Sequence, residues 1–511
     1  MVTEDYDIAE PHASIMIESL RAFGYDLKTA IADLLDNSIT ANAHNVWLDF
    51  CWNGHASYIR VIDDGKGMNG QKLVEAMTPG SKNPLDEREV DDLGRFGLGL
   101  KTASFSQCKR LTVASKPEDG PISIRRWDLD FVAKSDKWSL LRSPADGSQI
   151  HFSQLEEMKH GTIVLWEILD RVVGRADKND IHALEQFYRS VKIVQEYLSM
   201  VFHRYLDGVK PQIKVYLNGE DELHRIKPWD PFAENSGATV MFPNESISYG
   251  TGSIKVKGFV LPHKDKLDPE KYSTFSGPDG WVAQQGFYVY RNKRLLLPGN
   301  WLGLGSPSRW TKDDQYKLAR IRVDIPNSLD MDWQIDVKKS TAQPPNEIKE
   351  RLRDLAITVR KQAREVFAYR GTYGPRPQKK PLERIWHSAY SNGFYSYKIE
   401  RGHALVKQVL GAEGNLKSLI ESLLVTLEET VPVQQIWLDA AERSEESTRP
   451  FQNVEKQKLY RAIEFTYKAL REKEGYNVET SRQHLINMDA FIDYPDIIED
   501  VILSVEKHND N

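Results

Sequence analysis

The run Gly94-Arg95-Phe96-Gly97-Leu98-Gly99-Leu100-Lys101-Thr102-Ala103-Ser104 crowds three glycines just ahead of a lysine and a stretch compatible with a helix. That arrangement suits a phosphate. Glycine lets backbone amides approach without a side chain in the way, a following helix offers unpaired N–H groups, and Lys101 adds a full positive charge. The P-loop pattern is excluded, because Leu100 separates the last glycine from the lysine and no strongly apolar strand leads into the loop.

Two upstream segments give the run its weight. Asp63-Asp64-Gly65-Lys66-Gly67-Met68 follows the alternating Tyr58-Ile59-Arg60-Val61-Ile62, so an acid stands where a strand ends in a glycine-permitted turn. A carboxylate held there accepts a hydrogen bond from an exocyclic amine such as that of adenine, or else caps its own turn. Earlier, Ala30 to Ser38 has helical periodicity: Ile31, Leu34 and Leu35 form one face, while Asp33 and Asn37 lie one turn apart on another. The Asn37 oxygen suits Mg²⁺, and the Asp33 carboxylate suits proton abstraction from an attacking water or orientation of Asn37. Asp36, in the same turn, is a weaker rival base.

Acid-x-x-x-Asn on a helix, then Asp-x-Gly-x-Gly, then Gly-x-x-Gly-x-Gly-x-Lys, resembles the three nucleotide-binding boxes of the GHKL ATPases, which include gyrase B, the large heat-shock chaperone, histidine kinases and MutL. Met77-Thr78-Pro79-Gly80-Ser81-Lys82 is similar to the ATP lid of MORC-type members, and His160-Gly161-Thr162-Ile163-Val164-Leu165 resembles the last strand of the fold. Bacterial MORC/MutL-like proteins of restriction or phage-defence systems carry the nearest likeness. It implies an α+β chain. A Bergerat-type ATP-binding domain, helices on one face of a mixed sheet, precedes an S5-like transducer domain. Asp63, Gly65, Gly67, Met68, Ser81, Lys82, Gly94, Arg95, Phe96, Gly97, Leu98, Gly99, Lys101 and Thr162 are then expected to hold ATP, with Asn37 on the metal. Asp33 is the expected base and Lys338 or Lys339 the lysine passed to the γ-phosphate; strand register cannot choose between the two. The family has Glu where this chain has Asp33. A carboxylate withdrawn by about 1.5 Å predicts slow hydrolysis, because a misplacement near 1 Å costs roughly 10²-fold in rate.

With 511 residues, several domains are expected. The boundaries fall at 1–205 for the ATP-binding domain, 206–345 for the transducer and 346–511 for a mainly helical C-terminal region. The polar stretch from Pro79 to Asp92 reads as a lid, and the strand within Gln212–Glu220 as the start of the transducer. No apolar run approaches a membrane span and the N-terminus has no signal-like core, so a cytoplasmic protein is expected. Cys51 and Cys108, the only cysteines, cannot build a disulfide framework or a zinc site by themselves. A net charge of −6 argues against a wholly basic nucleic-acid coat, although residues 349–384 concentrate Lys and Arg, including Arg360, Lys361 and Arg364. That stretch is either a solvated helix face or a contact for the backbone of double-stranded DNA.

The expected activity is a slow, Mg²⁺-dependent ATPase whose bound nucleotide favours homodimerisation, forming a clamp on DNA or on a partner nuclease or helicase. A nucleotide sensor without turnover, or a heat-shock-type chaperone, is the alternative. His160 lacks a partner at ligand spacing and is read as structural.

Overall fold

The computed structural model describes residues 11–22, 24–81, 99–250, 252–330, 332–335, 342–368, 383–391, 394–411, 415–433, 435–436, 450–472 and 474–509. Lys82, Gly94 to Leu98, Lys338, Lys339 and the basic residues between 369 and 382 lie outside them. The chain divides into two units, Met1–Gly374 and Pro375–Asn511. It is an α+β protein.

The first unit holds two six-stranded sheets. In the first, β1 (Asn45–Cys51), β2 (Tyr58–Asp63), β3 (Arg110–Lys116), β4 (Ser123–Asp128), β5 (Gly161–Glu167) and β6 (Lys214–Leu217) stand in the order β4-β3-β5-β2-β1-β6. Every neighbouring pair is antiparallel except β1 and β6. Alternation explains the layering. Val46, Leu48, Phe50, Ile59, Val61, Leu111, Val113, Val164 and Trp166 turn to one face and pack under helices α1 (Ala13–Arg21), α2 (Leu27–Thr40), α3 (Gly70–Met77), α4 (Gly99–Phe105), α5 (Leu129–Ser135) and, further on, Ile181–Val201. Ile62, Ala114, Ile163 and Leu165 turn to the other face, where Phe152 and Leu155 cover them.

β6 corrects the expected place of the Gln212–Glu220 strand. It pairs with Asn45 to Leu48 in the first sheet, with Val215 under the helices and the Tyr216 ring stacked on Trp47 at 6.1 Å. Alternation reveals a strand but not its partner, and this partner lies across the long helix Ile181–Val201.

The second sheet runs β11-β10-β12-β9-β7, with β8 also on β9: β7 (Val240–Met241), β8 (Glu245–Tyr249), β9 (Gly252–Val260), β10 (Gly286–Arg291), β11 (Arg294–Asn300) and β12 (Ala319–Ile325). β10 is buried on both faces. Phe287 and Val289 join one core, Tyr288 and Tyr290 the core of the first sheet. The helix Asn346–Ala368 covers the outer core through Ile348, Leu352, Ala356, Val359, Ala363 and Val366, at helical spacing, and so belongs with the second sheet rather than with the C-terminal region.

That packing also corrects one basic residue. Arg360 is 8% exposed, and its guanidinium lies over the rings of Trp301, Trp310 and Tyr316 at 4.5, 4.4 and 3.6 Å. It is a core cation held by aromatic faces and offers nothing to a phosphate backbone. Arg351, Lys361 and Arg364 are exposed, and Arg351 pairs with Glu245.

The second unit is mainly helical, with a hairpin of Trp386–Ser391 and Phe394–Ile399 that periodicity did not reveal. Helices Lys456–Glu472, Val478–Asn487 and Pro495–Asn509 close its core on Ile463, Tyr467, Leu485, Met488, Ile498 and Val501. Among the described residues no helix is long and apolar enough to cross a membrane.

Candidate nucleotide site

α2 begins at Asp26, whose carboxylate caps the helix by accepting from the Thr29 amide. Its apolar residues Ile31, Leu34 and Leu35 are drawn into the core, which fixes the rotation of the helix. Asp33 is consequently buried, 4% exposed, and the Tyr25 hydroxyl donates to its Oδ2 at 3.0 Å. One turn on, Asn37 is exposed. Ser38 then donates to Asp63 Oδ2 at 3.0 Å, which ties α2 to the end of β2.

Asp63 receives a second hydrogen bond, from the Gly65 amide to Oδ1 at 3.0 Å. No lysine or arginine among the described residues forms an ion pair with it, and burial pushes its carboxyl up to about 6 from the ordinary 3.8, against the lowering effect of the Gly65 and Ser38 hydrogen bonds. Each carboxylate oxygen keeps acceptor capacity beyond the bond it already takes. The neighbouring Asp64 is engaged by main chain instead. It accepts from the amides of His44 and Asn45 at 2.7 and 2.8 Å and so fastens the start of β1. Asp63 is therefore the acid available to a ligand.

The turn after Asp63 needs glycine at Gly67, where φ is +64° and a Cβ would lie 2.0 Å from the Lys116 carbonyl oxygen. That close approach brings the Met68 amide to the Ser115 hydroxyl at 2.8 Å, and Ser115 is in turn 2.8 Å from the Thr162 hydroxyl. Thr162 stands opposite Asp63 in the β2–β5 register. His160, on the same strand approach, meets the Gly65 carbonyl at 2.8 Å and braces the turn. From the other side Gly99, first residue of α4, comes so near that a Cβ there would be 3.4 Å from Asp33 Oδ2.

Asp63, Gly65 and Thr162 thus meet at the end of β2, which Ser38 ties to α2, and Gly99 approaches Asp33 midway along that helix. Lys101, on α4, is turned inward. It is 2% exposed, and its ammonium donates to the Ala76 carbonyl at 2.9 Å, where a cation complements the C-terminus of α3. It is not a solvated helix lysine. Ser81 is half-buried at the end of the described stretch. Asp36 is withdrawn from any role as base, since Arg294 binds both of its oxygens at 2.9 and 2.8 Å. Ser38, Ser115 and Tyr25 escaped the sequence reading. Ser38, directly after Asn37 on the helix, carried a positional signal; Tyr25, eight residues before Asp33 and outside the helix, carried none.

Residues 25–162 match the family model described as histidine kinase-, DNA gyrase B-, and HSP90-like ATPase. The chain carries a GHKL ATPase domain. The matched residues span the site from Tyr25 to Thr162. The chain is also similar to the ATPase morc-1 of Caenorhabditis elegans, at 32% identity over 95 residues, which is 19% of this chain and 11% of that protein. DNA mismatch repair protein MutL of Coxiella burnetii is 32% identical over 101 residues, 19% of this chain and 17% of its own. MutL of Thermosipho melanesiensis is 23% identical over 197 residues, 38% and 31% respectively. The chain covers less than a third of each of these relatives.

Proposed function

We propose that this protein binds ATP with Mg²⁺ and hydrolyses it slowly, as a conformational clamp acting on DNA or on a DNA-processing partner. The observation that carries the reading is the Asp63 carboxylate: buried, without a paired cation among the described residues, held by Ser38 and the Gly65 amide, and backed by a turn that tolerates no side chain at Gly67. An acceptor kept in that state suits an exocyclic amine, which supplies hydrogen bonds and no charge.

The residues present fit a nucleotide-bound magnesium. Asn37, exposed one turn after Asp33, offers an amide oxygen as the protein ligand, and the ion would complete its shell with phosphate oxygens and water, as Mg²⁺ commonly does. Bound there, it would neutralise developing phosphate charge. Asp33 takes the proton of the water that attacks the γ-phosphorus as the bond to the β-phosphate oxygen breaks, leaving ADP and phosphate. Lys101 has donors beyond the one it gives to Ala76 and would offer its charge to the phosphate chain. Ser81, Lys82, the Gly94–Leu98 amides and one of Lys338 and Lys339 complete the contacts, and closure favours homodimerisation. A cytoplasmic role in restriction or antiviral defence rests on the sequence likeness, as does the S5-like character of the second sheet.

One observation favours a nucleotide sensor without turnover: the shorter acid at Asp33 already accepts from Tyr25. Isothermal titration combined with single-turnover kinetics separates the readings. ATP should bind the wild-type protein and not Asp63→Asn, while Asp33→Ala should bind it without hydrolysis. Undiminished affinity in Asp63→Asn would sink the nucleotide site, and wild-type and Asp33→Ala rates that are equally negligible would leave the sensor. A dimer seen by light scattering with a non-hydrolysable analogue, and turnover stimulated by double-stranded DNA, are the results expected of a clamp.

A further inference from the structure

The helix bearing the proposed base and metal ligand is gripped from outside the ATPase domain. Asp36 lies on α2 between Asp33 and Asn37, and it is 2% exposed. Its partner Arg294 opens β11 of the second sheet and is 1% exposed. Arg294 Nε meets both Asp36 oxygens, Nη1 donates to the Leu295 carbonyl at 3.0 Å, and the guanidinium lies over the Phe202 ring at 5.5 Å. Burial opposes the Arg294 charge, yet Asp36, Tyr197 and Asp33 together outweigh it and leave the guanidinium's pKa raised.

Arg294 is itself fixed. Asn292 and Lys293 have φ of +45° and +68°, the pair of left-handed residues that joins β10 to β11 in a tight hairpin. Before that turn Arg291 pairs with the buried Asp330 at 2.6 Å, and at the turn the Tyr205 hydroxyl donates to the Asn292 carbonyl. The hairpin tip is therefore anchored on three sides, and its Arg294 contact reaches α2 through a charge.

We propose that Arg294 is a positioning residue for the nucleotide chemistry: it sets the placement of α2, so that Asp33 and Asn37 act from a geometry dictated by the second sheet. The proposal rests on the ATPase reading above. A shift of α2 away from the hairpin leaves a carboxylate and a guanidinium buried and apart, which is strongly unfavourable, so helix and hairpin move as one body. Stability alone does not require the pair, because well-packed apolar residues of similar volume commonly replace a buried ion pair without loss. What such a replacement removes is the directional link.

The test uses the full chain carrying Asp36→Leu and Arg294→Met together, beside Arg294→Lys. The double variant is expected to unfold near the wild-type midpoint and to keep its KM for ATP within about threefold, while kcat falls at least about tenfold, the scale of a sub-ångström displacement of the base. Arg294→Lys, which retains the charge without the planar fork, should recover part of that kcat. Hydrogen exchange at α2 should quicken in the nucleotide-free double variant, and ATP should protect β10 and β11 in the wild type only. A folded double variant with wild-type kcat overturns the proposal and leaves the ATPase reading intact. Should the wild type neither bind nor turn over ATP, that reading fails, and unchanged α2 exchange in the double variant then overturns the positioning role separately. If the double variant does not fold, Arg294→Lys decides, with an unaltered kcat and unaltered α2 exchange counting against it.

Discussion

Asp36 and Asp63 are both buried carboxylates at the heart of the first unit, and they are kept in opposite ways. Asp36 is neutralised by a buried arginine from the second sheet. Asp63 has a hydroxyl and an amide for company, and burial raises its pKa to about 6. One carboxylate is given a countercharge, whereas the other, which we propose receives a ligand, is left with spare acceptor capacity at a cost in stability. Neighbourhood, not residue type, distinguishes the two.

Removing each acid should break the comparison in opposite directions. Asp36→Ala strands the Arg294 charge, and equilibrium urea unfolding should register a loss of about 3–5 kcal/mol. Asp63→Asn should instead stabilise the nucleotide-free protein at pH 8. Between the ordinary 3.8 and about 6 the folded state holds a proton that the unfolded chain has released, so this group's contribution is complete below pH 3.8 and is lost as the pH rises through 6. The rise from 3.8 to about 6 corresponds to about 3 kcal/mol, and the gap between variant and wild type should open over that window and vanish below it. A variant no more stable than wild type at pH 8 would mean that Asp63 bears no such penalty.

Ligand binding sharpens the contrast at smaller scale. Adenosine has no phosphate to titrate, and its affinity should weaken as the pH falls below about 6, approaching tenfold per unit, if the ionised Asp63 is the acceptor. Calorimetry giving a flat profile from pH 5 to 8 would remove that role. Smallest of all, Ser38→Ala deletes one hydrogen bond to Asp63 and should lower stability by about 1 kcal/mol, a change measurable by thermal unfolding.

The local geometry of the two acid-bearing segments was legible because spacing along the chain encodes it: a helix turn between Asp33 and Asn37, a strand end at Asp63, a permissive turn at Gly67. The alternation from Tyr58 to Ile62 marked β2 for the same reason. Contacts between distant segments have no such signature. Nothing local announces that Arg294 answers Asp36, or that the Lys214–Leu217 strand returns to β1. Arg360 is the instructive case. It falls beside Val359 and four residues after Ala356 on the stripe that meets the second core, so helical spacing marked it as inward-facing, and the surrounding Lys and Arg residues drew the reading toward solvent.

The return of Lys214–Leu217 to the first sheet bears on how this protein can be dissected. A fragment ending near Leu206, where helical pattern gives way, would leave the main-chain N–H and C=O groups of Asn45 to Leu48 without their parallel neighbour and uncover Trp47 where Tyr216 had stacked. Such a rim invites pairing with a second molecule. An excised nucleotide-binding fragment should accordingly retain Lys214–Leu217, and dimers seen with a shorter one would report an injured sheet rather than a response to ATP.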